Sequence, residues 1–118
     1  MCGIVGVITL KDCSESPSTI IKSLETLFLE SQSRGKDSSG IAFIDNNTID
    51  LIKDCVPAST LIKSPKYKEL LHNYKASLKC IGHARMETDG SFSIIENNHP
   101  IIKNGILTIH NGIIVNHK

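Results

Sequence analysis

The chain has 118 residues, with 13 Lys and Arg against 12 Asp and Glu and a formal charge of +1 at neutral pH. That length bounds one domain with one modest core. The balanced charge gives no field argument for a nucleic-acid or anionic-membrane partner, and no stretch approaches the roughly 20 apolar residues that span a bilayer.

The amino terminus lacks a basic region followed by a long apolar core, so it does not read as a secretory signal, and the expected compartment is the cytoplasm. Cys2 is chemically singular. Once Met1 is removed, it carries both a thiol nucleophile and the α-amine of the chain. An apolar strand is expected over residues 3–10, followed by a polar turn. Ser16-Pro17 reads as a helix start, with a hydroxyl cap and proline at the first position. Ile20, Ile21, Leu24, Leu27 and Phe28 repeat at helical spacing to about Glu30, and Ser33-Arg34-Gly35 ends the helix.

Residues 34–40 form a polar, glycine-bracketed segment that either lies beside a site or is a solvated connection. Strands at 41–44 and 48–52, joined by a turn at 45–47, make a hairpin. Residues 53–65 are mixed, with Pro57 and Pro65 blocking long elements. Tyr67, Leu70, Leu71 and Tyr74 predict a second helix over 66–77, with the tyrosines as half-buried packing groups and His72 at the surface. A short strand over 80–84 opens into a loop at 85–90 rich in functional side chains, and residues 97–100 form another polar loop. A strand at 107–110 ends in Asn111-Gly112, a dipeptide suited to a type I′ hairpin turn, and Ile113, Ile114 and Val115 follow. The pattern is α+β with antiparallel strands and no internal repeat.

Cys2, Cys13, Cys55 and Cys80 show neither CxxC nor zinc-knuckle spacing, and the last three read as free, partly buried thiols. His83, His99, His110 and His117 are too widely spaced to support a metal site, so no metal and no cofactor is expected. The only arginines, Arg34 and Arg85, stand in glycine-containing segments of a lysine-rich chain, which hints at a need for the planar guanidinium fork.

Five blocks, MCGIVGVI (1–8), RGKDSSG (34–40), GHARMETDG (82–90), NNHP (97–100) and HNGIIVN (110–116), occur in order along the chain. Together they resemble the class II glutamine amidotransferase domain, an N-terminal-nucleophile hydrolase, and most of all the glutaminase domain of glutamine–fructose-6-phosphate aminotransferases. The resemblance implies a partial four-layer αββα fold with antiparallel sheets. It implies that Cys2 attacks the side-chain amide of glutamine with its own α-amine as base, and that Asn111 and Gly112 form the oxyanion hole. Arg85 then pairs with the glutamine α-carboxylate and Thr88 helps hold the substrate. Arg34, Asp37, Ser38, His83 and His110 support the site.

Two positions depart from the family loop: Met86 stands where tryptophan is usual, and Asp89 where histidine is usual. The resemblance also implies that residues 1–118 are the amino-terminal part of a longer, apparently truncated domain, whose aspartate for the glutamine α-amine lies past Lys118. The expected partners are glutamine, a missing C-terminal half-domain or acceptor domain or subunit, and a second copy through self-association. The alternatives are an inactive remnant or assembly module of the same fold, and the glutaminase part of a phosphoribosyl amidotransferase or asparagine synthetase.

Overall fold

The computed structural model describes residues 1–74 and 78–116; the tail of the predicted second helix at 75–77, and His117, lie outside them. Strand β1 (Gly3–Ile8) is followed by helix α1 (Pro17–Ser31), the hairpin β2 (Ser38–Ile44) and β3 (Ile49–Asp54), and a short helix α2 (Ala58–Leu61). Helix α3 (Pro65–Asn73), strand β4 (Lys79–Arg85) and a small hairpin of β5 (Ile101–Lys103) and β6 (Ile106–Thr108) complete the elements. The chain is thus a mixed α and β fold with antiparallel sheets. The larger sheet has the order β1-β4-β2-β3, and every pair in it is antiparallel.

The first helix starts where its cap requires. Ser16 Oγ accepts the Thr19 N–H at 3.2 Å, with proline in the first turn. Its Leu24 and Phe28 are fully buried against Val5, Ile41 and Phe43, and Ala58, Leu61 and Tyr67 extend this core from α2 and α3. A Cβ on Gly3 would stand 2.5 Å from the Ser31 carbonyl oxygen, so glycine there lets β1 run against the end of α1.

Side chains alternate between the faces of a strand. With Val5 and Cys80 turned to the helices, the opposite face carries Ile4 and Ile8 of β1, His83 and Arg85 of β4, and Ser38 of β2. The register sets Ile4 beside His83, and Ser38 beside Arg85. Residues 97–100 cross this face, where Lys53 Nζ donates to the carbonyls of Asn98 at 2.6 Å and Pro100 at 3.3 Å.

Several expectations change. The 34–40 segment is no solvated connection throughout, because Ser38, Ser39 and Gly40 are buried residues of β2. The first strand stops at Ile8, and Leu10 is exposed. A four-residue helix occupies part of the mixed stretch between Pro57 and Pro65. Tyr67 is fully buried rather than half-buried. The hairpin turn belongs to the other Asn-Gly pair: Asn104 and Gly105 have φ of 52° and 76° and join β5 to β6. Asn111-Gly112 turns no hairpin, and residues 113–115 form no strand.

Phe28 anchors the helix to the sheet. Phe28→Ala is expected to lower the unfolding free energy by about 3–5 kcal/mol in urea titrations followed by circular dichroism. Ser16→Ala, which removes only the cap, is expected to cost about 1 kcal/mol.

Candidate active site

The pairing of Gly3 with Ala84 sets Cys2 beside the point where β4 ends and the chain continues into Met86. Cys2 is buried, and its thiol lies 3.6 Å from the Met86 carbonyl oxygen. Asn111 grips its main chain from the far end of the sequence. Asn111 Oδ1 accepts the Cys2 N–H at 3.0 Å, and Asn111 Nδ2 donates to the Cys2 carbonyl at 3.1 Å. Met1 projects outward, with its ammonium 3.4 Å from Met86 Sδ and its own sulfur 3.7 Å from Arg34 Nη2.

Cys2 opens on a cavity of about 240 Å³. That is just below the roughly 300–1,000 Å³ of drug-sized ligand sites and suits a solute of amino-acid size. Of the sequence-predicted residues, Cys2, His83, Arg85, Thr88, His110 and Gly112 line it. Asn111, Arg34, Asp37 and Ser38 are not in its wall. Asn111 holds the cysteine and Arg34 reaches Met1. Asp37 ties down the loop after β4: its N–H donates to the Arg85 carbonyl at 3.0 Å, and its Oδ2 accepts the Glu87 N–H at 2.7 Å. Gly35 allows this approach, since a Cβ there would collide with the backbone of Arg85 and Met86.

Arg85 is buried and committed. Nη1 donates to Asn98 Oδ1 at 2.6 Å and to the Asn97 carbonyl at 3.3 Å. Nη2 donates to the Asp89 carbonyl at 2.7 Å and to that of Gly90. Asn98, fully buried, completes the network: Oδ1 also accepts the Ser38 hydroxyl at 2.8 Å, and Nδ2 donates to the Phe92 carbonyl at 2.6 Å. The sequence reading gave Asn98 no role. Nothing in an Asn-Asn dipeptide within a polar loop marks one member as the hub of three chain segments.

Three histidines meet beside Cys2. His83 Nε2 lies 3.1 Å from the His110 carbonyl and therefore carries the proton, while its Nδ1 is buried without a partner among the described residues. His99 Nδ1 accepts the His110 N–H at 3.0 Å, and its ring centroid is 4.8 Å from that of His83. Burial first, then the neighbouring His99, Arg85 and His110, lowers the His83 pKa to about 4 despite its bond to the His110 carbonyl. His99 is lowered too, by burial and then by Arg85, His110 and Lys53. Both rings are held neutral. Among the described residues, no group of three or more His, Cys, Asp or Glu side chains gathers as a metal set. Cys2, Cys13, Cys55 and Cys80 are free thiols: Cys80 is buried, Cys55 is half-buried and Cys13 is exposed. No helix among the described residues is long and apolar enough to cross a membrane.

Cys2, buried beside the start of β1 and clasped by Asn111, thus faces a small cavity lined by residues from several segments. Sequence comparison gives the particular relationship. The chain matches the glutaminase-domain region of glutamine–fructose-6-phosphate aminotransferases over nearly its whole length. It is 38% identical over 117 residues to that enzyme of Buchnera aphidicola, covering 98% of this chain and 17% of the relative. It is 38% identical over 120 residues to that of Wigglesworthia glossinidia brevipalpis, covering 100% and 18%. Against that of Sulfolobus acidocaldarius the identity is 32% over 120 residues, covering 100% and 19%. The chain thus spans under a fifth of the length of these curated relatives. No protein-family model matches it.

Two measurements test this geometry. His83 binds a proton more weakly when folded, near pH 4, than its ordinary value of 6.5, so the unfolded chain takes up more protons between those values. Its contribution to stability is full above pH 6.5 and is lost as pH falls toward 4. Urea unfolding is expected to show a loss of about 2–3 kcal/mol between pH 7 and 4.5 from this group. His83→Gln, which can still donate to the His110 carbonyl, should flatten that slope. Asn98→Ala strands buried donors on Arg85 and Ser38, and is expected to cost about 2–4 kcal/mol at pH 7 by the same titration.

Proposed function

We propose that the chain supplies the cysteine nucleophile of a glutamine amidotransferase. The observation that carries this reading is the Cys2–Asn111 pair, residues 109 apart in sequence, joined by two hydrogen bonds beside a cavity of amino-acid size. Removal of Met1 turns the Cys2 N–H into an α-amine with an intrinsic pKa of about 8, much of it unprotonated near neutrality. The amine takes the thiol proton, and sulfur attacks the side-chain amide carbon of glutamine. The tetrahedral oxyanion is stabilised by the Gly112 N–H and by Asn111 Nδ2, once the latter turns from the Cys2 carbonyl. The amine returns its proton to the departing nitrogen. Ammonia leaves, and the γ-glutamyl thioester is hydrolysed to glutamate with the thiol regenerated.

Arg85 binds the substrate α-carboxylate in this reading, assisted by Thr88. Its weakest contact, the Asn97 carbonyl at 3.3 Å, is the first that a carboxylate would displace. The ammonia acceptor is fructose 6-phosphate, by analogy with the name of the relatives. Residues 1–118 form the amino-terminal part of the class II domain. In a four-layer αββα arrangement a second sheet covers the face that now exposes Ile4 and Ile8. The commitment of all of the Arg85 Nη donors favours a second reading, a non-catalytic assembly module of the same fold.

The two readings separate on Cys2. In Met1-processed protein, a diazo-ketone analogue of glutamine is expected to modify Cys2, as mapped by peptide mass spectrometry, and glutamine is expected to be converted to glutamate. Cys2→Ala abolishes both, and Asn111→Ala lowers turnover about 10²–10³-fold. Folded, processed protein with no adduct and no glutamate release would establish the assembly module instead.

A further inference from the structure

Strand β1 stands at the end of the larger sheet, with β4 on one side and no strand among the described residues on the other. The Thr9 N–H donates to the Leu78 carbonyl at 2.8 Å, in the register that continues the β1–β4 pairing. Main-chain direction alternates along an antiparallel strand. Val5 and Val7 therefore bond toward β4, while Ile4, Gly6 and Ile8 turn their N–H and C=O groups outward. Cys2 shares that outward parity, and the Asn111 amide meets its N–H and carbonyl as a neighbouring strand would. Ile4, Gly6 and Ile8 have no such clasp among the described residues.

We infer that this edge pairs with the same edge of a second copy of the chain, β1 against β1, antiparallel about a two-fold axis at Gly6. A two-fold perpendicular to the sheet keeps the helices of both copies on one face and pairs residues of equal parity. Centred on Gly6, it sets Ile4 opposite the partner's Ile8 and Val5 opposite the partner's Val7. The outward N–H and C=O groups of Ile4, Gly6 and Ile8 then bond across the axis. Ile4 and Ile8 are 49% and 72% exposed, so their cross-strand pairs remove apolar surface from water. Gly3–Ile8 contains no charged residue and no proline, so the axis brings no like charges together and interrupts no ladder. The opposite edge of the sheet differs: β3 carries Asp50, Lys53 and Asp54, charges that discourage edge pairing. One short strand per copy makes a small interface, so the dimer forms only at roughly 10–100 µM. The pairing is independent of the chemistry at Cys2.

Sedimentation velocity of the full 118-residue chain, from about 1 µM to about 500 µM, tests the pairing. A monomer–dimer equilibrium is expected. Ile8→Lys alters an exposed side chain and should leave the circular dichroism spectrum and the urea midpoint unchanged. It is expected to weaken the dimer about 10-fold, because two apolar cross-strand pairs are lost. Ile4→Glu should weaken it similarly. In the double variant Ile4→Glu/Ile8→Lys each glutamate faces the partner's lysine, and association should recover at low salt. A chain that stays monomeric at every concentration overturns the inference. A dimer unaffected by Ile8→Lys, or assembly that grows beyond the dimer, places the contact elsewhere and overturns it too. Weakening in both single variants without recovery in the double variant overturns the register about Gly6.

Discussion

A buried guanidinium must be given acceptors, and this requirement shapes the whole region beyond β4. A guanidinium such as that of Arg85 is costly to bury unpaired. Three of its acceptors are main-chain carbonyls and the fourth is the Asn98 side chain, so residues 89–98 fold around one charge. The network then spreads. Asn98 recruits Ser38 from the neighbouring strand, and its carbonyl recruits Lys53 from the next. A lysine in place of Arg85 has three donors on one nitrogen and could not serve two separated pairs of carbonyls.

The elements that bury a periodic apolar face were legible in the sequence. The helix capped by Ser16-Pro17, the β2–β3 hairpin and the strand leading to Arg85 all occur, with bounds shifted by a few residues. What local pattern left ambiguous was settled by tertiary contact. The sequence contains two Asn-Gly dipeptides, and only Asn104-Gly105 has apolar pairs on both flanks able to zip into strands. That flanking signal was available and points to the right turn. Ser38 and Ser39 looked like loop residues by composition, yet they are buried because Asn98 and the Val56 carbonyl offer their hydroxyls partners. No window of sequence contains both halves of such a bond.

The same distinction holds at the site. Cys2, Arg85, Thr88 and Gly112, picked from three separate blocks, do line one cavity. Asn111 instead lies behind the wall, clasping the cysteine backbone. The histidines show why residue type alone was a poor guide. His83 donates a hydrogen bond to the His110 carbonyl and His99 accepts one from the His110 N–H, so two neutral rings hold the two peptide units that flank the His110 Cα. Protonating His99 removes the acceptor that this arrangement needs. The two rings thereby hold the main chain at His110, next to Asn111 and Gly112.

The Cys2–Asn111 clasp also has a consequence in time. A ribosome makes Cys2 first and Asn111 only 109 residues later, an interval on the order of ten seconds at typical elongation rates. Throughout that interval the amino terminus has no clasp, whatever the rest of the chain has folded. Any enzyme that trims Met1 meets an unencumbered peptide bond during synthesis, and one drawn in beside a buried thiol afterwards. The order of the sequence therefore leaves the Met1–Cys2 bond unclasped until Asn111 has been made.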